Sequence, residues 1–284
     1  MLDLPDRRLN AYRTDLAEER LRGVVEATNY VSGSAGIICV PVVQMRARPE
    51  LECGTDTELL LGETVRVLDT GAGWAWVKAD FDDYVGYTPD YAVSPVVRSL
   101  THIVTAPRTF IYSGPDLKFP TVQALSMGNR IAVIDERETR GTRYFLMEGG
   151  QAVIANHCAE VGQPLSGDYV AIAERFLETP YLWGGRSGFG IDCSGLVQLS
   201  MMMTGRSVPR DTDMQASGLG TQIDRSELNR GDLVFWKGHV AIMEDEKTLL
   251  HANGHTMSVS HEGLEESIQR IGWLYNKPTG FRRP

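Results

Sequence analysis

Residues 61–69 read Leu-Gly-Glu-Thr-Val-Arg-Val-Leu-Asp, and residues 127–135 read Met-Gly-Asn-Arg-Ile-Ala-Val-Ile-Asp. Both have a Gly, alternating β-branched residues and a closing Asp, and Asp135 follows Asp69 at an offset of 66 residues. Alternation with period two puts Val65 and Val67 on one sheet face and Ile131 and Val133 on the equivalent face of a second copy. Each copy is followed by a turn and another strand, at Trp74–Val77 and at Tyr144–Met147. Short strands punctuated by Gly, Pro and Asp close most readily into small barrels, so two barrels are expected, at 36–97 and 98–164. Ahead of them, Leu9, Tyr12, Leu16, Leu21 and Val24 fit an apolar helical stripe, so residues 1–35 are expected to be a helical N-terminal segment.

After Gly167 the pattern changes. Residues 168–178 have helical spacing, residues 183–190 form a Gly-rich loop, and a second helix is expected from Cys193 to Thr204 with Gly205 as its stop. Three strands should follow, at 232–236, 239–244 and 248–252. Helices followed by an antiparallel sheet make residues 165–284 an α+β domain.

Composition narrows the function. The chain has 284 residues, enough for two or three domains at ~100–200 residues each. Lys plus Arg is 28 against 37 Asp plus Glu, a net charge of −9, which argues against a nucleic-acid binder. The four cysteines are too few for a disulfide scaffold in a chain of this length. The charged N-terminal stretch holds no signal-like apolar run, and no stretch approaches the ~20 apolar residues of a membrane span, so the expected location is cytoplasmic.

The chemistry centres on Asp192-Cys193-Ser194-Gly195, where a helix is expected to begin. A thiol in a first helical turn lies near the positive end of the backbone dipole and near unpaired N–H groups, which favour the thiolate and can hold an oxyanion. A buried, inert cysteine is the alternative. A nucleophilic thiol needs a base, and the base needs an orienting partner. His239 opens one expected strand and His251 ends the next, so a tight hairpin could bring both to Cys193. A zinc pair of His251 and His255 is disfavoured because Asn253-Gly254 between them is turn-forming. The Gly-rich loop lacks the spacing of a dinucleotide-binding fingerprint.

Pro-Tyr-x-Trp-Gly-Gly, Asp-Cys-Ser-Gly, Pro-Arg-Asp-Thr, Gly-Asp-Leu-Val-Phe-Trp, Gly-His-Val-Ala-Ile and Leu-Leu-His-Ala-Asn occur in this order. Together they resemble the NlpC family of papain-like bacterial cell-wall cysteine peptidases, and the β-rich front half is similar to the SH3-like domains of its γ-D-glutamyl-L-diamino acid endopeptidases. The resemblance implies two SH3-like barrels before a papain-like domain, and cleavage of a murein peptide, L-Ala-γ-D-Glu-diamino acid, with no metal or organic cofactor. It implies Cys193 as nucleophile, His239 as base, His251 as the third polar residue and Tyr181 near the oxyanion. It implies substrate contacts from Asp192, Ser194, Arg210, Asp211 and Thr212, the last at a position where the family commonly has Ser. Tyr84, in Tyr84-Val-Gly-Tyr87, matches a tyrosine that closes one end of the family's cleft, although Tyr87 stands where Trp is frequent. Asp192 is the first candidate to hold the substrate ammonium, with Asp56 and Glu58 behind it.

Overall fold

The computed structural model describes residues 4–95 and 99–284, and its chain forms two compact units, Met1–Val161 and Gly162–Pro284. The expected boundary at 97/98 lies outside the described residues.

Among the described N-terminal residues there is no α-helix, which corrects the expectation for residues 1–35. Leu16–Glu18 pairs in parallel with Asn29–Val31, and Glu19–Leu21 forms a single 3-10 turn between them. The apolar side chains do bury, but as a small cluster of Tyr12, Ala17, Leu21 and Val25, while Val24 is 56% exposed. Arg13 supplies a further reason. Its guanidinium lies 4.5 Å from the Trp76 ring centroid and donates to the Tyr87 hydroxyl at 3.0 Å and to Asp69 at 2.7 Å. Helix propensity is worth only tenths of a kcal/mol per residue, so such tertiary anchors override it.

Residues 34–94 contain a seven-stranded antiparallel sheet. Its neighbours run in the order Thr55–Leu60, Val42–Arg46, Val85–Pro89, Trp74–Ala79, Thr64–Gly71, Ser34–Ile38 and Val93–Ser94. Ile38, Met45, Leu59, Val65 and Val77 fill its core, with Val67 packed against them. Gly86 is required by close packing, since a Cβ there would sit 2.5 Å from the Met45 side chain. In the next stretch the echo of this pattern is shorter. Arg130–Ile131 joins a three-stranded sheet and the ladder then stops, while Asp135–Thr139 starts at the edge of a separate five-stranded sheet. Ile131 and Val133 still pack into one cluster, with Val104, Leu125 and Val153.

The second unit places the chemistry. Helix α1 (Tyr169–Glu174) starts at Asp168, whose carboxylate accepts from the Val170 and Ala171 amides. It ends before the expected residue 178, and Glu178 turns the chain with φ +64°. Helix α2 (Cys193–Met202) is buried along its whole length. Its continuation stops at Gly205, φ +83°. Helix α3 (Thr212–Gly218) follows, then a six-stranded antiparallel sheet. Its order is Thr221–Gln222, Gly280–Arg283, Leu233–Trp236, His239–Met243, Thr248–Asn253 and Ser258–Gly263. The three central strands match the expected ones to within a residue or two. The Ser258–Gly263 strand and helix α4 (Leu264–Tyr275) carry no prior expectation.

The register fixes which side chains meet. Val234 opposes Ala241, Met243 opposes Leu249 and Leu249 opposes Glu262. Alternation then brings His239, His251 and Glu262 onto the same face as these residues. That face is covered by α4, through Leu264 and Ile271 against Trp236, Ala241, Met243 and Leu249. Each fully buried side chain of this kind contributes roughly 1.5–3 kcal/mol, which fixes α4 to the sheet.

Candidate active site

Cys193 is the first residue of α2, and Asp192 is its N-cap. The Asp192 carboxylate accepts from the Gly195 amide at 2.7 Å, the Gly184 amide at 2.9 Å and the Ser194 hydroxyl at 3.2 Å. Arg210 closes the arrangement, donating to both carboxylate oxygens at 3.0 and 2.7 Å, to Ser194 Oγ at 2.8 Å and to the Gly185 carbonyl at 3.3 Å. Gln215 in α3 donates to the Ser194 and Pro209 carbonyls. Asp192, Ser194 and Arg210 therefore form one buried network that shapes the turn carrying the thiol.

The glycines of this region serve the same packing. A Cβ on Gly195 would lie 2.4 Å from the Gly185 carbonyl oxygen, and one on Gly185 would lie 2.6 Å from that of Gly190. The Gly-rich loop is thus a cradle for the Asp192 carboxylate. Tyr181 is held to the same region by its bridge to Ile191, two residues before the thiol. Asp211 is the N-cap of α3, and the Thr212 hydroxyl lies 3.9 Å from Cys193 Sγ. Tyr84 belongs to the first unit, where it is 4% exposed in the core of the seven-stranded sheet.

The base side is built across three strands and α4. His239 Nε2 lies 2.9 Å from His251 Nδ1. His251 Nε2 in turn lies 3.1 Å from Glu262 Oε2, close but off the line of an ideal hydrogen bond. Arg270 grips Glu262 bidentately, Nε to Oε1 at 2.7 Å and Nη2 to Oε2 at 2.5 Å. The Trp236 ring lies 5.7 Å from that of His239. Glu262 and Arg270 were not anticipated, because their strand and helix were not read from the sequence and neither stands in a recognisable motif.

Burial dominates the electrostatics. It pushes the Cys193 thiol up to about 11, aided by the negative charge of Asp192 and opposed by the Val240 amide, the Thr212 hydroxyl and Arg210. The Val240 contact sets the sulfur against the residue that follows His239. Burial also lowers His239 to about 3, with repulsion from His251 and Arg270 adding to it and Glu262 opposing it. His251 is lowered too, first by burial, against the raising influence of Glu262. Burial works to raise Glu262, yet the hydrogen bonds from Arg270 and the close approach of His251 outweigh it and hold the carboxyl at about 2. Burial thus favours the neutral thiol and the neutral imidazole. The helix-terminus effect that favours the thiolate, about 0.3–2 kcal/mol, is opposed by the desolvation of a buried anion.

A cysteine opening a buried helix, set against a sheet whose first histidine is backed by a second, defines a papain-like cysteine peptidase unit. Residues 178–273 match the NlpC/P60 family, and residues 45–93 match the bacterial dipeptidyl-peptidase Sh3 domain. Residues 178–273 are therefore a cysteine peptidase domain of the NlpC/P60 type, and a segment matching the bacterial Sh3 domain stands ahead of it. Among its relatives, a gamma-D-glutamyl-L-lysine dipeptidyl-peptidase of Bacillus cereus is 27% identical over 230 residues, 69% of this chain and 67% of the relative. One of the same name from Bacillus subtilis is 28% identical over 233 residues, 75% of this chain and 77% of the relative. The crystal structure of an NlpC/P60 family protein from Bacillus cereus has the same fold, with a TM-score of 0.72 at 23% identity over 88% of this chain and 99% of that one.

Proposed function

We propose that the chain hydrolyses the bond between γ-D-glutamate and an L-diamino acid in murein peptides that begin with a free L-Ala, using Cys193 as nucleophile and His239 as base. The observation that carries this reading is the Cys193 thiol at the start of α2, against the backbone amide of Val240 next to His239, with His251 at 2.9 Å behind the base. The names of the two Bacillus relatives support the substrate class. A dipeptidyl-peptidase releases a two-residue product, so the scissile bond lies two residues from a free amine.

In the proposed reaction Sγ bonds to the γ-carbonyl carbon as the S–H proton passes to His239 Nδ1, the ring nitrogen not engaged by His251. The Asp192 cap takes the Gly195 amide and its backbone carbonyl takes that of Leu196. The amides of Cys193 and Ser194, with the Tyr181 hydroxyl, are the groups proposed to meet the oxyanion. His239 then returns its proton to the departing amine and the C–N bond breaks. Water adds to the thioester, giving its proton to His239, and the C–S bond breaks as the thiol is restored. Thr212 and Asp211 are proposed to contact the D-glutamyl part. Arg210, buried and committed to Asp192, positions the turn.

Recycling of small peptides in the cytoplasm is the biological role that fits a requirement for a free amine. Cys193→Ala should lower cleavage of L-Ala-γ-D-Glu-diaminopimelate by about 10⁴-fold or more while the melting curve stays in place. Retained turnover, measured by chromatography of the products, would refute the assignment. Comparable digestion of intact sacculi and of the free tripeptide would refute the recycling role.

A further inference from the structure

The base side contains a polar connection that the reaction above leaves unused. Glu262 is an acceptor, since its carboxyl is held ionised by two hydrogen bonds from Arg270. Arg270 is donor-only. The carboxylate oxygen 3.1 Å from His251 Nε2 therefore faces a ring nitrogen that must carry the proton. A neutral imidazole has one N–H, so His251 Nδ1 is then a bare acceptor. His239 Nε2, 2.9 Å away, must donate to it. His239 Nδ1 is left as the lone pair, the form a base needs.

We propose that Glu262, held by Arg270, is a positioning residue that sets the tautomers of both histidines and so makes His239 Nδ1 the atom that receives the Cys193 proton. The connection runs through one face of three neighbouring strands. His239, His251 and Glu262 come from separate strands and Arg270 from the helix that covers them. The charged and titratable groups facing it are His251 from the adjacent strand and Arg270 from α4, with His239 beyond His251 and His255 acting on His251 at longer range. The same carboxylate favours a proton on the histidine pair and so supports the imidazolium that forms during attack.

This inference rests on the proposed roles of Cys193 and His239, and its test separates the two. In Glu262→Gln the shape is kept but Arg270 claims the amide oxygen, which turns the amide N–H₂ toward His251 Nε2. That nitrogen must then accept, and both tautomers reverse. The expected result is a loss of about 10²-fold in kcat with little change in KM, less than the ~10⁴-fold seen when the orienting group touches the base directly. The pH at which Cys193 becomes reactive to iodoacetamide should fall by about one unit, because the reversed tautomer turns a His239 Nδ1–H donor toward the sulfur and a nearby negative charge is lost. A purely structural role would lower the melting temperature and scale activity equally at every pH. That outcome, or activity within about threefold of the unmodified protein, overturns the proposal. Nitrogen NMR of the histidine rings in the unmodified protein needs no variant. It should show His251 protonated at Nε2, and a proton at Nδ1 overturns the proposal. If the unmodified protein does not cleave the peptide, the proposed function fails while the alkylation and NMR measurements still decide the tautomers.

Discussion

On the nucleophile side of the site, Arg210 is 1% exposed and serves Asp192, Ser194 and the Gly185 carbonyl together. On the base side, the side chain of Arg270 is 24% exposed and grips the Glu262 carboxylate. Both are arginine–carboxylate pairs, one beside the thiol and one behind the histidine that backs the base, and they answer different needs. The thiol must be placed, so its pair is tied into the backbone of a tight turn. The imidazole must have its proton on the correct nitrogen, so its pair ends on a ring nitrogen. A third pair in the same unit gives the surface reference. Arg230 bonds Asp168 at 2.8 Å and Glu174 at 2.9 Å with its side chain 41% exposed.

Substitutions at these three arginines would break or sharpen the contrast. Arg210→Met leaves the Asp192 charge buried without its partner. It should cost about 3–5 kcal/mol in chemical denaturation and abolish activity with the fold. A stable but inactive Arg210→Met protein would remove the distinction between placing and protonating. At the base side the main signature is in pH. His239 titrates at about 3 when folded and near 6.5 in a free chain. Above pH 6.5 both states are neutral and the group has no effect. Between 6.5 and 3 the unfolded chain binds a proton that the folded chain refuses, so stability falls as pH falls through this window. Each such group contributes a slope of up to about 1.4 kcal/mol per pH unit. Denaturation midpoints of His239→Gln should show a shallower fall than those of the unmodified protein, and parallel curves would contradict the burial argument. The smallest effect belongs to Arg230→Gln, below about 1 kcal/mol and without change in kcat, because exposed ion pairs are screened.

The front half gives a second lesson about legibility. The alternating runs at 61–69 and 127–135 placed Val65 with Val67 in one cluster and Ile131 with Val133 in another, as expected, since a strand's period of two is a local property. The N-terminal segment was misread because its apolar spacing suits a helix, while its fold is decided by Arg13 reaching Trp76, Tyr87 and Asp69 more than fifty residues away. No local pattern encodes that reach.

At the site the division is similar. The sequence by itself determined the helix that Cys193 opens, the hairpin that carries His239 and His251, and the motif order of an NlpC/P60 peptidase. Those features depend on neighbours within a few residues, where caps, turns and alternation operate. The tertiary structure alone decided that burial works against the thiolate, that Arg210 spends its donors on Asp192, and that Glu262 and Arg270 stand behind His251. Desolvation depends on what packs around a group, and a diagonal contact between strands depends on register. Neither is a property of residues adjacent in the chain.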